Sequence, residues 1–127
     1  MATVNDKRPV NLDLTTIKFP VPALASISHR ISGIAIFVAL PILLWMLDRS
    51  LASPESFAQL KACLANPWAK LVLWGVLAAL SYHLVAGTRH LIMDLGFGDT
   101  LEAGRRGAVL VFIISIVLIV LAGVWVW

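Results

Sequence analysis

One cysteine, one tyrosine, three histidines and 13% charged side chains in 127 residues leave this chain little of the usual chemistry of an enzyme. Cys63 alone excludes an intrachain disulfide, and the lack of a Cys-x-x-Cys-His stretch excludes the usual covalent attachment of haem. There is no Gly-rich flavin-binding motif and no set of iron-sulfur cysteines, so the chain by itself should be catalytically inert. Di-iron and zinc centres need more carboxylate, His or Cys ligands than the apolar stretches hold. A net charge of +3 and a pI near 9.5 raise the question of nucleic acid, but the ten Lys and Arg are scattered and form no sustained basic stretch. No nucleic-acid partner is expected.

What is present is hydrocarbon. The chain is 60% hydrophobic with a mean hydropathy of +0.91, well beyond a soluble domain of this length. Three runs carry no charge: Ile31 to Leu47, Leu71 to Thr88 and Gly107 to Trp127. They predict an all-α membrane protein with three transmembrane helices at about 26–47, 68–93 and 105–127, within a single membrane-anchor domain covering 1–127. Strands are disfavoured, because three strands cannot close a barrel and the runs do not alternate polar with apolar residues. Pro41 falls inside the first span and is expected to kink it at most. Ser53-Pro54-Glu55 in the first connection has the composition of a helix start.

No signal peptide is visible before the first span, which is expected to be retained. Lys7, Arg8, Lys18 and Arg30 lie before or at the first span, and Arg89, Arg105 and Arg106 flank the second connection; the first connection has only Arg49, Lys61 and Lys70. This asymmetry predicts a cytoplasmic amino terminus and a carboxy terminus on the opposite side. Trp45, Trp68, Trp125 and Trp127 fall near the outer ends of spans, as an interfacial belt would place them, while Trp74 lies deeper and reads as packing.

His83 stands inside the charge-free run from Leu71 to Thr88. An imidazole is costly there, and such residues usually face a bundle interior and mark a cofactor, proton or substrate path. Gly87 and His90 follow on one helical face, with Arg89 beside them at the boundary. Gly75, Ala79, His83 and Gly87 repeat every four residues and leave a groove for a neighbouring helix or a flat cofactor. Ordinary packing with His83 hydrogen-bonded across the bundle and haem ligation both account for this pattern. For a haem, His29 and His90 are poor second ligands: His90 shares the face of His83, and His29, near the boundary, should differ from it in depth. The haem reading therefore calls for a ligand from another chain.

A second cluster, Ser26-Ile27-Ser28-His29-Arg30-Ile31-Ser32-Gly33, opens the first span, with Ser26, Arg30 and Gly33 on one face. A hydroxyl next to a permanent guanidinium charge suits a quinone carbonyl, which gains negative charge as it is reduced. Arg30 also reads as a snorkelling, positive-inside anchor, Ser26 as a helix cap and His29 as an interfacial residue.

Arg8-Pro9-Val10-Asn11-Leu12-Asp13-Leu14, Ile17-Lys18-Phe19-Pro20, the cluster from Ser26 to Gly33, and His83-Leu84-Val85-Ala86-Gly87-Thr88-Arg89-His90 resemble the cytochrome b membrane-anchor subunits of bacterial succinate dehydrogenase, the respiratory complex II. The resemblance covers nearly the whole chain. It implies one anchor of a heterodimeric helical bundle in the bacterial inner membrane, with the carboxy terminus periplasmic. The implied partners are a second hydrophobic anchor, an iron-sulfur subunit and a flavoprotein subunit, the last two carrying the iron-sulfur clusters and FAD. It further implies haem b shared between the anchors, with His83 as an axial iron ligand. Ser26 and Arg30 match the ubiquinone pocket, and His29, Arg30, Arg89 and His90 match the haem propionate region. A fumarate reductase anchor of the same architecture and a non-redox membrane scaffold are the alternatives.

Overall fold

The computed structural model describes Asp13 and residues 15–127. Lys7, Arg8 and all of the Arg8-to-Leu14 motif except Asp13 lie outside the described residues. Four helices follow one another: α1 (Val21–Ala52), α2 (Pro54–Leu64), α3 (Pro67–Asp94) and α4 (Leu101–Val126). Strands are absent among the described residues. The three long helices are each apolar and long enough to cross a membrane, as the charge-free runs predict.

Local chemistry sets the ends. Pro22 suits the first turn of α1, where its missing N–H removes no helical bond. The helix then runs through Pro41 for 32 residues, past both ends of the predicted span, because backbone bonding does not stop where the hydrocarbon does. Ser53, in extended conformation, ends α1 and caps α2: its hydroxyl accepts from Ser56 N at 3.1 Å, with Pro54 following. The Ser56 hydroxyl donates back to Arg49 O at 2.8 Å, tying the start of α2 to the end of α1. Asn66 caps α3 through Trp68 N at 2.9 Å. Gly96, at φ 85°, closes α3 in a left-handed turn that returns Phe97 N–H to Ile92 O, and Thr100 caps α4.

The long helices touch one another pairwise. Where they meet the residues are small: Ala25, Ser32 and Ala39 of α1, Ala86 of α3, and Ala108, Val111 and Ser115 of α4 are buried. Large side chains point outward, Phe37 and Val124 among the most exposed. This inversion of a soluble core is the packing expected where lipid solvates the outside and close backbone approach holds the inside.

Two features fasten α3 to α4. Tyr82, Val85, Ala86, Val111 and Phe112 form the one buried cluster among the described residues, with the Tyr82 and Phe112 ring centroids 5.6 Å apart. Farther along, Trp74 Nε1 donates to Ile119 O at 2.9 Å, and Gly123 leaves the space its indole occupies. The deep tryptophan is therefore a packing residue with its one polar atom bonded.

Candidate functional site

The site forms where α1 passes α3. His83 lies on α3 opposite Ser32 and Gly33 of α1, and a Cβ on Gly33 would come within 3.1 Å of His83 Cε1. Only a glycine lets the imidazole lie this close to the α1 backbone. The ring is then held through Nδ1, which is 3.2 Å from His29 O and 3.1 Å from Ser32 Oγ.

These two contacts fix the tautomer. A carbonyl can only accept, so Nδ1 facing His29 O must carry the proton. The Ser32 hydroxyl donates its own proton to His29 O at 2.8 Å and so presents a lone pair to Nδ1. Both neighbours of Nδ1 can accept, so the tautomer that suits them is the one with its lone pair on Nε2. Among the described residues nothing bonds to that atom.

His29 packs directly on this ring. The two imidazoles are stacked, with centroids 4.1 Å apart and planes at 22°, and His90 approaches His29 from the other side at 5.4 Å. Gly87 makes room, its would-be Cβ 3.5 Å from His29 Nε2. That nitrogen is buried and has no hydrogen-bond partner. A buried ring nitrogen left without a partner marks a place where a further polar group belongs.

The sequence expectation that His29 and His83 differ in depth is corrected here, since their rings are in contact. Depth was reckoned along each helix separately, whereas the relative shift of α1 and α3 is set by Gly33 and Gly87 at the crossing. Rings stacked face to face direct their nitrogen lone pairs along their edges, so the pair does not enclose a metal ion between them.

The remaining candidates divide between two places. Ser26 is half-buried and Arg30 exposed, one turn apart on α1 beside the histidines, and neither side chain is hydrogen-bonded among the described residues. Arg89 turns the other way, donating to Gly104 O at 2.9 Å, and Gly107 leaves the gap for its guanidinium. The stripe through Gly75 fills only in part: among the described residues no facing group lies within 4 Å of a Cβ built there. Ser32 is the residue sequence reasoning passed over. Its signal was present, a hydroxyl three residues after His29 on the inner side of α1, but it points to His83 only once the helices are paired.

At the opposite end of α1, an apolar cavity of ≈ 310 Å³ lies between α1, α2 and α3 and is lined by residues such as Ala39, Met46, Leu60 and Val72. Cys63 is its one thiol, and no charged side chain lines it. Three histidines gather at the crossing, with Ser26 and Arg30 on the same helix as His29.

A multi-pass membrane protein with a histidine cluster held at a helix crossing is the class that fold and site define. Residues 4–122 match the family described as Succinate dehydrogenase/Fumarate reductase transmembrane subunit. The chain is 51% identical over 125 residues to the succinate dehydrogenase cytochrome b556 subunit of Coxiella burnetii, covering 98% of this chain and 100% of that one. It is 34% identical to the cytochrome b556 subunit of Paracoccus denitrificans, over 95% of this chain and 94% of that one. The mitochondrial cytochrome b560 subunit of Sus scrofa is 31% identical, over 89% of this chain and 68% of that one. The chain belongs to the succinate dehydrogenase/fumarate reductase transmembrane subunit family, and is a membrane subunit of that class of enzyme complex.

Proposed function

We propose that this chain is the haem b- and ubiquinone-binding anchor of a succinate:ubiquinone oxidoreductase, set in the bacterial inner membrane with its amino terminus cytoplasmic. The observation that carries the reading is the state of His83: Nδ1 is committed to two acceptors, and the lone pair stands free on Nε2. Metal-bound histidines are commonly oriented in this way, by donating the other ring N–H to a carbonyl or carboxylate. The glycines at the crossing and the unpartnered Nε2 of His29 add a close approach and a polar contact for a flat, anionic group. The residues fit haem.

His83 would hold the haem iron through Nε2 together with a residue of a second anchor subunit, because His29 offers His83 only its face. His29, Arg30 and His90 line the propionate side, and Arg89 adds its charge from its seat against Gly104. Haem b held there would supply a one-electron centre. Electrons reach the quinone pocket from the iron-sulfur subunit, itself fed by the flavoprotein. Ser26 donates a hydrogen bond to a ubiquinone carbonyl, and Arg30 offsets the negative charge that gathers on it during reduction. Both stand toward the cytoplasmic end of α1, where protons are available. The single anchor domain would then contribute binding and electrostatics, with oxidation of succinate left to its partners.

The test is a reduced-minus-oxidised spectrum of the assembled complex carrying His83→Ala. Loss of the b-type bands is expected, and an unchanged signal sinks the ligation. For the quinone pocket, Ser26→Ala and Arg30→Leu should each lower ubiquinone reduction by about tenfold or more. Succinate oxidation by a water-soluble dye acting at the flavoprotein should stay intact. Normal quinone turnover in both variants would remove these residues from the pocket.

A further inference from the structure

We infer that Ser32 is the positioning residue of His83, fixing both the tautomer and the direction of the imidazole so that Nε2 is ready to ligate. The inference rests on the reading of His83 as a haem ligand and adds a residue to which that reading assigns no role.

A neutral histidine has two tautomers of similar energy and turns about two side-chain bonds. Only the form protonated on Nδ1 leaves Nε2 open. His29 O favours that form, but the same oxygen also lies in the α1 backbone, and a carbonyl has two lone pairs to share. At 3.2 Å its contact with Nδ1 is at the long end of the range for an N–H donor.

Ser32 changes this balance. It is 7% exposed, and its hydroxyl has a single rotatable proton that goes to His29 O at 2.8 Å. With the proton placed there, the oxygen meets Nδ1 at 3.1 Å as an acceptor. Nδ1–H is thus held between two acceptors on adjacent turns of one helix, and Gly33 sets the ring's distance from that helix. A proton on Nε2 instead of Nδ1 would set lone pair against lone pair at His29 O. Ser32 itself touches neither haem nor quinone in this scheme and acts only through His83.

The experiment uses the whole four-subunit complex with Ser32→Ala, and with Ser32→Thr and Ser32→Val as a pair of like shape that differ in the hydroxyl. Two readouts are taken: the rate at which haem is lost to an excess of apomyoglobin, and the g-anisotropy of the low-spin ferric signal. Removing a neighbour that orients a metal-bound histidine typically weakens the metal site about 10–100-fold. Ser32→Ala should therefore lose haem about tenfold faster and shift the ferric signal, with its b-type bands retained. Ser32→Thr should behave as the wild type, and Ser32→Val as Ser32→Ala.

Wild-type haem loss and an unshifted signal in Ser32→Ala overturn the inference. So does equal behaviour of the Thr and Val variants, which decides the matter if Ser32→Ala fails to assemble. His83→Ala, run alongside, separates the two levels. If it keeps the b-type signal, the ligand assignment itself falls; if it loses the signal while the Ser32 variants match the wild type, only the role of Ser32 falls.

Discussion

The two seams of α3 are built for different ends. Toward α4 its polar groups are largely bonded within the chain: Trp74 Nε1 to Ile119 O and Arg89 to Gly104 O, around the Tyr82–Val111 cluster. Ser115 Oγ is the exception, 1% exposed and without a partner. Toward α1 Tyr82 OH donates to Ala25 O at 3.0 Å, and beside that bond the contact is made by Ser32, Gly33 and three imidazoles, where two ring nitrogens, His83 Nε2 and His29 Nε2, have no partner among the described residues. The α4 seam is finished by the chain itself but for Ser115 Oγ. The other is pre-shaped and incomplete, which is how a binding site differs from a core.

The difference breaks down most sharply at Gly33. Even a methyl there would meet His83 Cε1 at 3.1 Å, and overpacking a tight contact costs about 1–3 kcal/mol. Gly33→Leu should cut haem content in the purified complex by about tenfold or more, as measured by pyridine haemochromogen. Wild-type haem content would mean that the α1 seam is slack and its shape unimportant.

A change of similar locality on the other seam should act on stability alone. Trp74→Phe removes the bond to Ile119 O, worth about 0.5–1.5 kcal/mol. The midpoint of thermal inactivation should fall by a few degrees, with the haem spectrum unaltered. A spectral shift in that variant would show that the two seams are coupled through α3.

The smallest effect lies outside both seams. The Glu55 carboxyl is held below the usual glutamate value of 4.5 by its own backbone N–H and by Ser53 at the start of α2. A depressed pKa contributes stability above the unfolded value, and that contribution fades as pH falls through the folded one. Amide exchange in α2, corrected for intrinsic rates, should therefore quicken as pH falls below about 5 and on through the lowered folded value. Glu55→Gln should flatten that response while leaving the haem region unchanged.

Much of this was legible before any coordinates. Uncharged runs long enough for a bilayer fixed the three spans, and a serine followed by proline and glutamate announced α2, because both signals are local to one stretch of chain. The crossing was not legible. His29 reads in the sequence as an interfacial residue near the boundary, yet its ring lies on that of His83. Arg89 was grouped with the histidines by sequence neighbourhood, yet it bonds across to α4 through the space left by Gly107. In both cases the deciding residues are glycines on the facing helix, and a glycine's meaning depends on what it faces.

His29 contributes twice at the crossing, through its carbonyl to Ser32 and His83 and through its ring to the stack. Mutagenesis reaches only one of these. Every substitution at position 29 that keeps α1 helical leaves the carbonyl in place, so that part of the grip on His83 is shielded from point mutation there, while the stacked ring is not. The side chain at position 29 can thus be altered, in the laboratory or over evolutionary time, without removing that carbonyl.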